Sequence, residues 1–85
     1  MENTWFGDEA VSVEAQFLPD GELRPTAFTW RGHHHRIAGL GRQWDEADGR
    51  HVLVEATDGS RFELCLASTQ NEWRLLRAWE RSHLA

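Results

Sequence analysis

The amino-acid sequence predicts an all-β fold: six antiparallel strands running as a meander and curled into a small barrel or half-barrel. Three observations carry that expectation. Apolar and polar residues alternate with period two over 11–17, 51–57 and 60–67, the pattern of strands with one buried face. Turn-forming groups, Pro19-Asp20-Gly21, Arg31-Gly32 and Asp58-Gly59, separate the extended runs. No confident amphipathic helix is available to cover an apolar sheet face, so the sheet has to cover itself.

With 85 residues the chain is one domain, read as a tail over 1–10, a β domain over 11–80 and a tail over 81–85. A chain this short buries only roughly 60% of its unfolded surface. Five Trp and four Phe offset that, because each ring buries about 150–250 Å², and most of them must be core. The 14 acidic and 9 basic residues give a net charge of −5, which argues against non-specific binding to DNA or anionic lipid. Every basic residue is Arg, a bias that a GC-rich genome produces and that also suits bidentate contacts to carboxylate or phosphate. The lone Cys65 has no internal disulfide partner, which favours a reducing cytosol. The acidic N-terminus does not read as a signal peptide, and no run approaches the ~20 apolar residues of a membrane span. A cytoplasmic protein without membrane contact is expected.

Along the chain, residues 1–10 are polar apart from Trp5-Phe6, two rings expected to pack over an open end of the sheet or against a second copy. In the first strand Val11, Val13, Ala15 and Phe17 point one way and Ser12, Glu14 and Gln16 the other. Pro19-Asp20-Gly21 turns the chain, and Pro25 keeps Arg24 extended. A hairpin over 26–30 and 33–40 folds at Gly32, where positive φ is required. Gly39 and Gly41 flank Leu40 and mark a bulge or bend. Trp44 follows as an anchor, and Asp45-Glu46-Ala47-Asp48-Gly49 is an acidic turn. Val52, Val54 and Ala56 oppose Leu53 and Glu55. Asp58-Gly59 is read as a two-residue connection. Phe62, Leu64 and Leu66 then face one side, and Arg61, Glu63 and Cys65 the other. Residues 73–84 fit a strand through Trp73, Leu75, Arg77 and Trp79, and also a helix face through Leu75, Leu76, Trp79 and His83. The strand is favoured because residues 60–67 need a partner, and a short C-terminal helix is the alternative.

The residues Phe28, Trp30, Gly32, His35, Ile37, Trp44, Phe62, Glu63, Leu64, Trp73 and Leu75 form a pattern. It resembles a family of small bacterial proteins, a domain of unknown function, with a W-x-G-x-x-Y-x-V hairpin, a later Trp, an F-E-L-Y strand and a G-x-W-x-L strand. His35 and Cys65 stand where that family usually has Tyr. The resemblance implies an all-β fold and no assigned activity. The placement of some members near error-prone DNA polymerase genes implies a DNA-repair association.

Three groups of residues are candidate sites. His33, His35 and His51 are a metal-ligand set: His33 and His35 share a strand face, and Asp45 or Asp48 can complete the shell. The alternative is that His33–His35 are exposed hairpin residues, with His35 replacing a half-buried aromatic. Arg31, Arg36, Arg61, Arg74 and Arg77, with exposed Trp5 and Phe6, can form a platform for an acidic protein or single-stranded nucleic acid. The alternative is cross-strand pairing with Glu55, Glu63 and Glu72. Cys65 near a His is the minimum of a nucleophile–base pair, but the sequence shows no third group to orient it. No catalytic residues, and no cofactor, are assigned. The expected function is a non-enzymatic protein-interaction module whose partner is another protein or a second copy. A nucleic-acid or DNA-repair accessory role using the Arg/Trp face is the alternative, disfavoured by net charge, and a His-based metal site comes third.

Overall fold

The structure, a computed structural model, describes residues 2–69 and 71–81. Seven strands are present among them: β1 Glu2–Ala10, β2 Ser12–Phe17, β3 Leu23–Trp30, β4 His33–Glu46, β5 Gly49–Ala56, β6 Arg61–Ala67 and β7 Trp73–Arg81. They form one antiparallel sheet in the order β1-β7-β6-β5-β4-β3-β2. The all-β antiparallel class is the one that period-two burial predicts.

Several details differ from the sequence reading. There are seven strands rather than six, because residues 2–10 are an edge strand and not a tail. β1 pairs with β7 through Thr4–Trp79, Trp5–Ala78 and Phe6–Arg77. Its two adjacent rings separate by strand alternation: Trp5 packs against the core, while Phe6 is exposed. Residues 73–81 are strand, and no helix is found among the described residues. The helical spacing of this segment has a specific cause. The β6–β7 register shifts between Glu63 and Leu64, which turns both Leu75 and Ala78 inward although they are three residues apart. Arg81 belongs to β7, and the rest of the expected C-terminal tail lies outside the described residues. The sheet is curled but not closed into a barrel.

That curl is forced by connectivity. β1 and β2 lie at opposite edges of the sheet, yet only Val11 joins them. One extended stretch therefore serves both edges, and the Val11 N–H donates to the Trp73 carbonyl at 3.1 Å as the chain passes from β7 to β3. The concave side holds Phe28, Trp30, Val52, Val54, Ala56, Phe62, Leu64, Leu75 and Ala78, flanked by Trp5, Val11, Val13, Ile37 and Trp73. Phe28 meets Phe62 edge-on at 4.8 Å, and Trp30 meets it at 6.4 Å. Phe17 departs from the expected inward set and is 71% exposed, because β2 carries it past the end of this core beside the 18–22 turn.

β4 changes partner along its length. It pairs with β3 from His33 to Arg36 and with β5 from Ile37 onward. The β4–β5 register shifts at Ile37/Gly39 and at Leu40/Gln43, so bulges fall at the glycines, one of the two irregularities expected there. Beyond that point β3 and β4 are tied by a side chain: the Gln43 amide donates to the Leu23 carbonyl and accepts from the Leu23 N–H. The β5–β6 connection has three residues, Thr57-Asp58-Gly59, since Glu55 pairs with Arg61 and the Ala56 N–H donates to the Ser60 carbonyl. Gly59 adopts φ 88°, and the Asp58 carboxylate accepts from the Ser60 N–H at 2.9 Å. A turn closed by a left-handed glycine gives this three-residue geometry.

Gly49 starts β5 with φ 147°, and a β-carbon there would overlap the Leu66 carbonyl oxygen. Gly49→Ala is expected to destabilise the domain by about 2–4 kcal/mol, combining backbone strain with a clash against main chain. Urea denaturation followed by Trp fluorescence checks this against Gly39→Ala, where a β-carbon meets nothing within 4 Å and the loss should be much smaller.

Candidate functional site

The strand register arranges the outer face of β5, β6 and β7 in rows. They run His51–Cys65–Arg74, Leu53–Glu63–Arg77 and Glu55–Arg61–Trp79. β1 extends all three, placing Ala10 beside Arg74, Phe6 beside Arg77 and Thr4 beside Trp79.

The lower rows form an aromatic and cationic surface. The Arg77 guanidinium lies 4.7 Å from the Phe6 ring and 5.2 Å from the Trp79 ring. Both are cation–π distances. Phe6 is 65% exposed and Leu40 42% exposed. Next to this stack is a groove of about 700 Å³ lined by Gly39, Leu40, Gly41, Leu53, Arg61 and Trp79, among others. The two glycines leave open the space that side chains would fill. Arg61 and Glu55 pair at 3.4 Å with both side chains largely in water, so that contact is weak.

The upper row holds a buried polar cluster. His51 is 3% exposed and stacks on Trp44 at 5.2 Å. Its Nδ1 lies 2.8 Å from Glu63 Oε2, and its Nε2 lies 2.7 Å from Asp48 Oδ1 and 3.4 Å from Glu46 Oε2. Burial alone would lower the His51 pKa, but the hydrogen bonds to Asp48 and Glu63 outweigh it and raise the value. The same contact lowers the Asp48 pKa. Cys65 lies opposite His51, and the ligating atoms of Asp48, His51 and Cys65 all fall within 4.8 Å of one another. Burial, with Asp48, Asp8, Glu63 and Glu46 nearby, pushes the thiol up to about 11. That is the opposite of what an activated nucleophile needs. A cavity of about 340 Å³ opens beside the cluster, lined by Asp8, Asp48, Cys65 and Arg74 among others. Arg74 is held there by Asp8 at 2.6 Å and Glu72 at 2.9 Å.

The expected site residues thus divide. Arg61, Arg74, Arg77 and Phe6 share the outer face. Trp5 turns inward onto Trp30, with centroids 5.0 Å apart. Arg31 sits over both of those rings, at 5.4 and 4.7 Å. Arg36 is exposed on β4 opposite Ala27. The five arginines therefore do not form one platform. The histidines separate too. His33 is exposed at the hairpin, and His35 stacks on Phe28 at 4.8 Å on the core side. Burial lowers the His35 pKa. His51 is on the other face, so the His33–His35–His51 metal set is not assembled, and His35 fills the position of a half-buried aromatic. Sequence reasoning missed Cys65 and Glu63 as neighbours of His51.

No family model matches the chain, and no curated protein or solved structure matches it either.

A latch joins β1 to the end of β3. Glu9 accepts from the Trp30 indole N–H at 2.7 Å and from the Arg31 guanidinium at 2.6 and 3.3 Å. The Arg31 hydrogen bond, then that of Trp30, hold the Glu9 carboxyl below its ordinary pKa. A lowered folded-state value stabilises the protein above the unfolded pKa, and the effect is lost as pH falls through the folded value. Glu9→Gln is therefore expected to lower Tm at pH 7, and the gap from wild type should close below about pH 4. Paired melts between pH 7 and pH 2.5 check the trend; a gap that stays constant would remove the ionic component of the latch.

Proposed function

We propose that this protein is a non-enzymatic interaction module that docks a segment of another protein on the outer face of β5, β6, β7 and β1. The observation that carries the reading is the Phe6–Arg77–Trp79 stack, exposed at Phe6 and half-buried at Arg77 and Trp79, beside the groove under Leu40. Arg, Trp and other aromatic residues dominate the energetic centres of protein interfaces, and here both rings hold the guanidinium in place before any partner arrives. The groove between Gly39, Gly41, Leu53 and Trp79 suits an aliphatic side chain. Arg77 and Arg61 suit a carboxylate next to it. The expected occupant is an extended protein segment that pairs an apolar residue with an acidic one. Base stacking on the same rings would suit single-stranded nucleic acid, but a run of phosphates has to pass the carboxylates of Glu55 and Glu63 on a chain of net charge −5, whereas a single carboxylate needs only the places beside Arg77 and Arg61.

A displayed peptide library selected on the full chain should enrich sequences with an aliphatic residue beside Asp or Glu. Synthetic winners should bind with a change in Trp fluorescence. Trp79→Ala or Arg77→Ala should weaken that binding about 30-fold or more, the loss typical of an interface centre. Absence of enrichment, or winners indifferent to both substitutions, counts against the reading. A dimer in light scattering that Trp79→Ala dissociates would replace it with self-association. Salt-sensitive binding of single-stranded DNA abolished by both substitutions would replace it with nucleic-acid recognition.

A further inference from the structure

The His51 cluster has a property that ordinary ion pairing leaves unresolved. Both ring nitrogens of a buried imidazole face carboxylate oxygens, Glu63 at 2.8 Å and Asp48 at 2.7 Å. A neutral imidazole carries one N–H and can satisfy only one of them. The other position calls for positive charge, supplied by a proton or by a metal ion.

Four features of the surroundings favour a site built for metal. Cys65 brings a sulfur beside the pair, with an Asp48 carboxylate oxygen, a His51 ring nitrogen and Sγ mutually within 4.8 Å. Zinc bonded at about 2.0–2.3 Å holds its tetrahedral donors roughly 3–4 Å apart, so side-chain rotation of about an ångström completes the set. Glu63 takes the far nitrogen, the partner that metal-bound histidines regularly have and one that fixes the ring with Nε2 toward the ion. Glu46 Oε2 stands 3.4 Å from Nε2, and the cavity beside Asp48 and Cys65 provides a route inward. Asp48, Glu63 and Glu46 put negative charge near the thiol that a divalent cation relieves, while Arg74, cross-strand from Cys65, is already matched by Asp8 and Glu72.

We infer that Asp48, His51 and Cys65 bind one divalent transition-metal ion of the zinc class through Oδ1, Nε2 and Sγ, with Glu63 orienting the imidazole and Glu46 nearest the fourth position. The mixed sulfur, nitrogen and oxygen set selects zinc or cobalt over magnesium or calcium. On binding, the Nε2 proton of the imidazolium and the thiol proton pass to solvent, and the ion takes their places. The ion would clip the β4–β5 turn, β5 and β6 together at one corner. The site lies one row from the docking face, shares only Glu63 with it, and is separate from the His33–His35 run.

The test uses the full chain, stripped with a chelator and titrated with Co²⁺, then Zn²⁺. One equivalent of Co²⁺ should produce a thiolate-to-cobalt charge-transfer band and the visible bands of tetrahedral cobalt, and Zn²⁺ should erase both while raising Tm. Cys65→Ser, and Cys65→Ala as a second small replacement, should abolish the charge-transfer band and weaken Zn²⁺ at least about tenfold. Glu63→Gln should weaken Zn²⁺ about 10–100-fold with the band retained. The double variant His33→Asn/His34→Asn should behave as wild type. Far-UV circular dichroism without metal shows that each variant is folded. The inference is overturned if the wild-type protein shows neither cobalt bands nor a Zn²⁺-dependent Tm at micromolar metal. It is equally overturned if the bands survive in both Cys65 variants, or disappear in His33→Asn/His34→Asn.

Discussion

The fold depends on one constraint: a single extended stretch of chain has to border both ends of a seven-stranded sheet. β1 pairs with β7, β2 pairs with β3, and Val11 is all that separates them. A flat sheet would hold those two edges far apart. The sheet therefore has to curl, and its concave side becomes the only place where Phe28, Trp30 and Phe62 leave water together. The Glu9 contacts with Trp30 and Arg31 and the Trp5–Trp30 pair close by side chains the seam that strand pairing leaves open. In so small a domain this closure stands in for the helix or second sheet that covers larger ones.

The same curl explains why the outer face matters. Once the aromatic core is satisfied on the inside, Phe6 and Leu40 are left exposed on the convex side, with Arg77 and Trp79 half-buried between them. The face is graded from top to bottom. The His51 row is buried and charge-matched, the Arg77 row is half-covered, and the groove by Leu40 is open. A buried polar centre and an exposed apolar one thus lie on adjacent rows of three strands, and the β4–β5 turn shapes the first while the glycines of β4 shape the second.

Much of this was legible in the sequence. Period two marks the strands containing Val13, Val54 and Phe62, because burial on one face writes itself directly into alternation, and the glycines around Leu40 mark the bulges of β4. β1 was hidden: an edge strand with a wet outer side and an acidic latch residue reads as a polar tail. β7 was half-hidden, since a bulge places Leu75 and Ala78 on one side at helical spacing. The His51 cluster was lost through a single residue of loop length. With a two-residue Asp58-Gly59 connection, Thr57 pairs with Ser60, and counting back puts His51 opposite Leu66. The third loop residue moves it to Cys65. Register is set at the turn, and an error of one there relocates every cross-strand neighbour. The long-range contacts, Glu9 with Trp30 and Asp8 with Arg74, carry no local signature at all.

The Gln43 amide has a consequence for how the molecule breathes. Past Arg36 the β2–β3 hairpin is hydrogen-bonded to β4 through a glutamine that mimics a peptide group against Leu23, whereas β4 to β7 are zipped by main-chain ladders that run their length with a few bulges. Opening events should follow that unevenness. The far end of the outer hairpin, around Leu23, is therefore expected to lift and exchange its amide hydrogens before the four-stranded slab behind it, while Phe28 and Trp30 keep the near end anchored in the core.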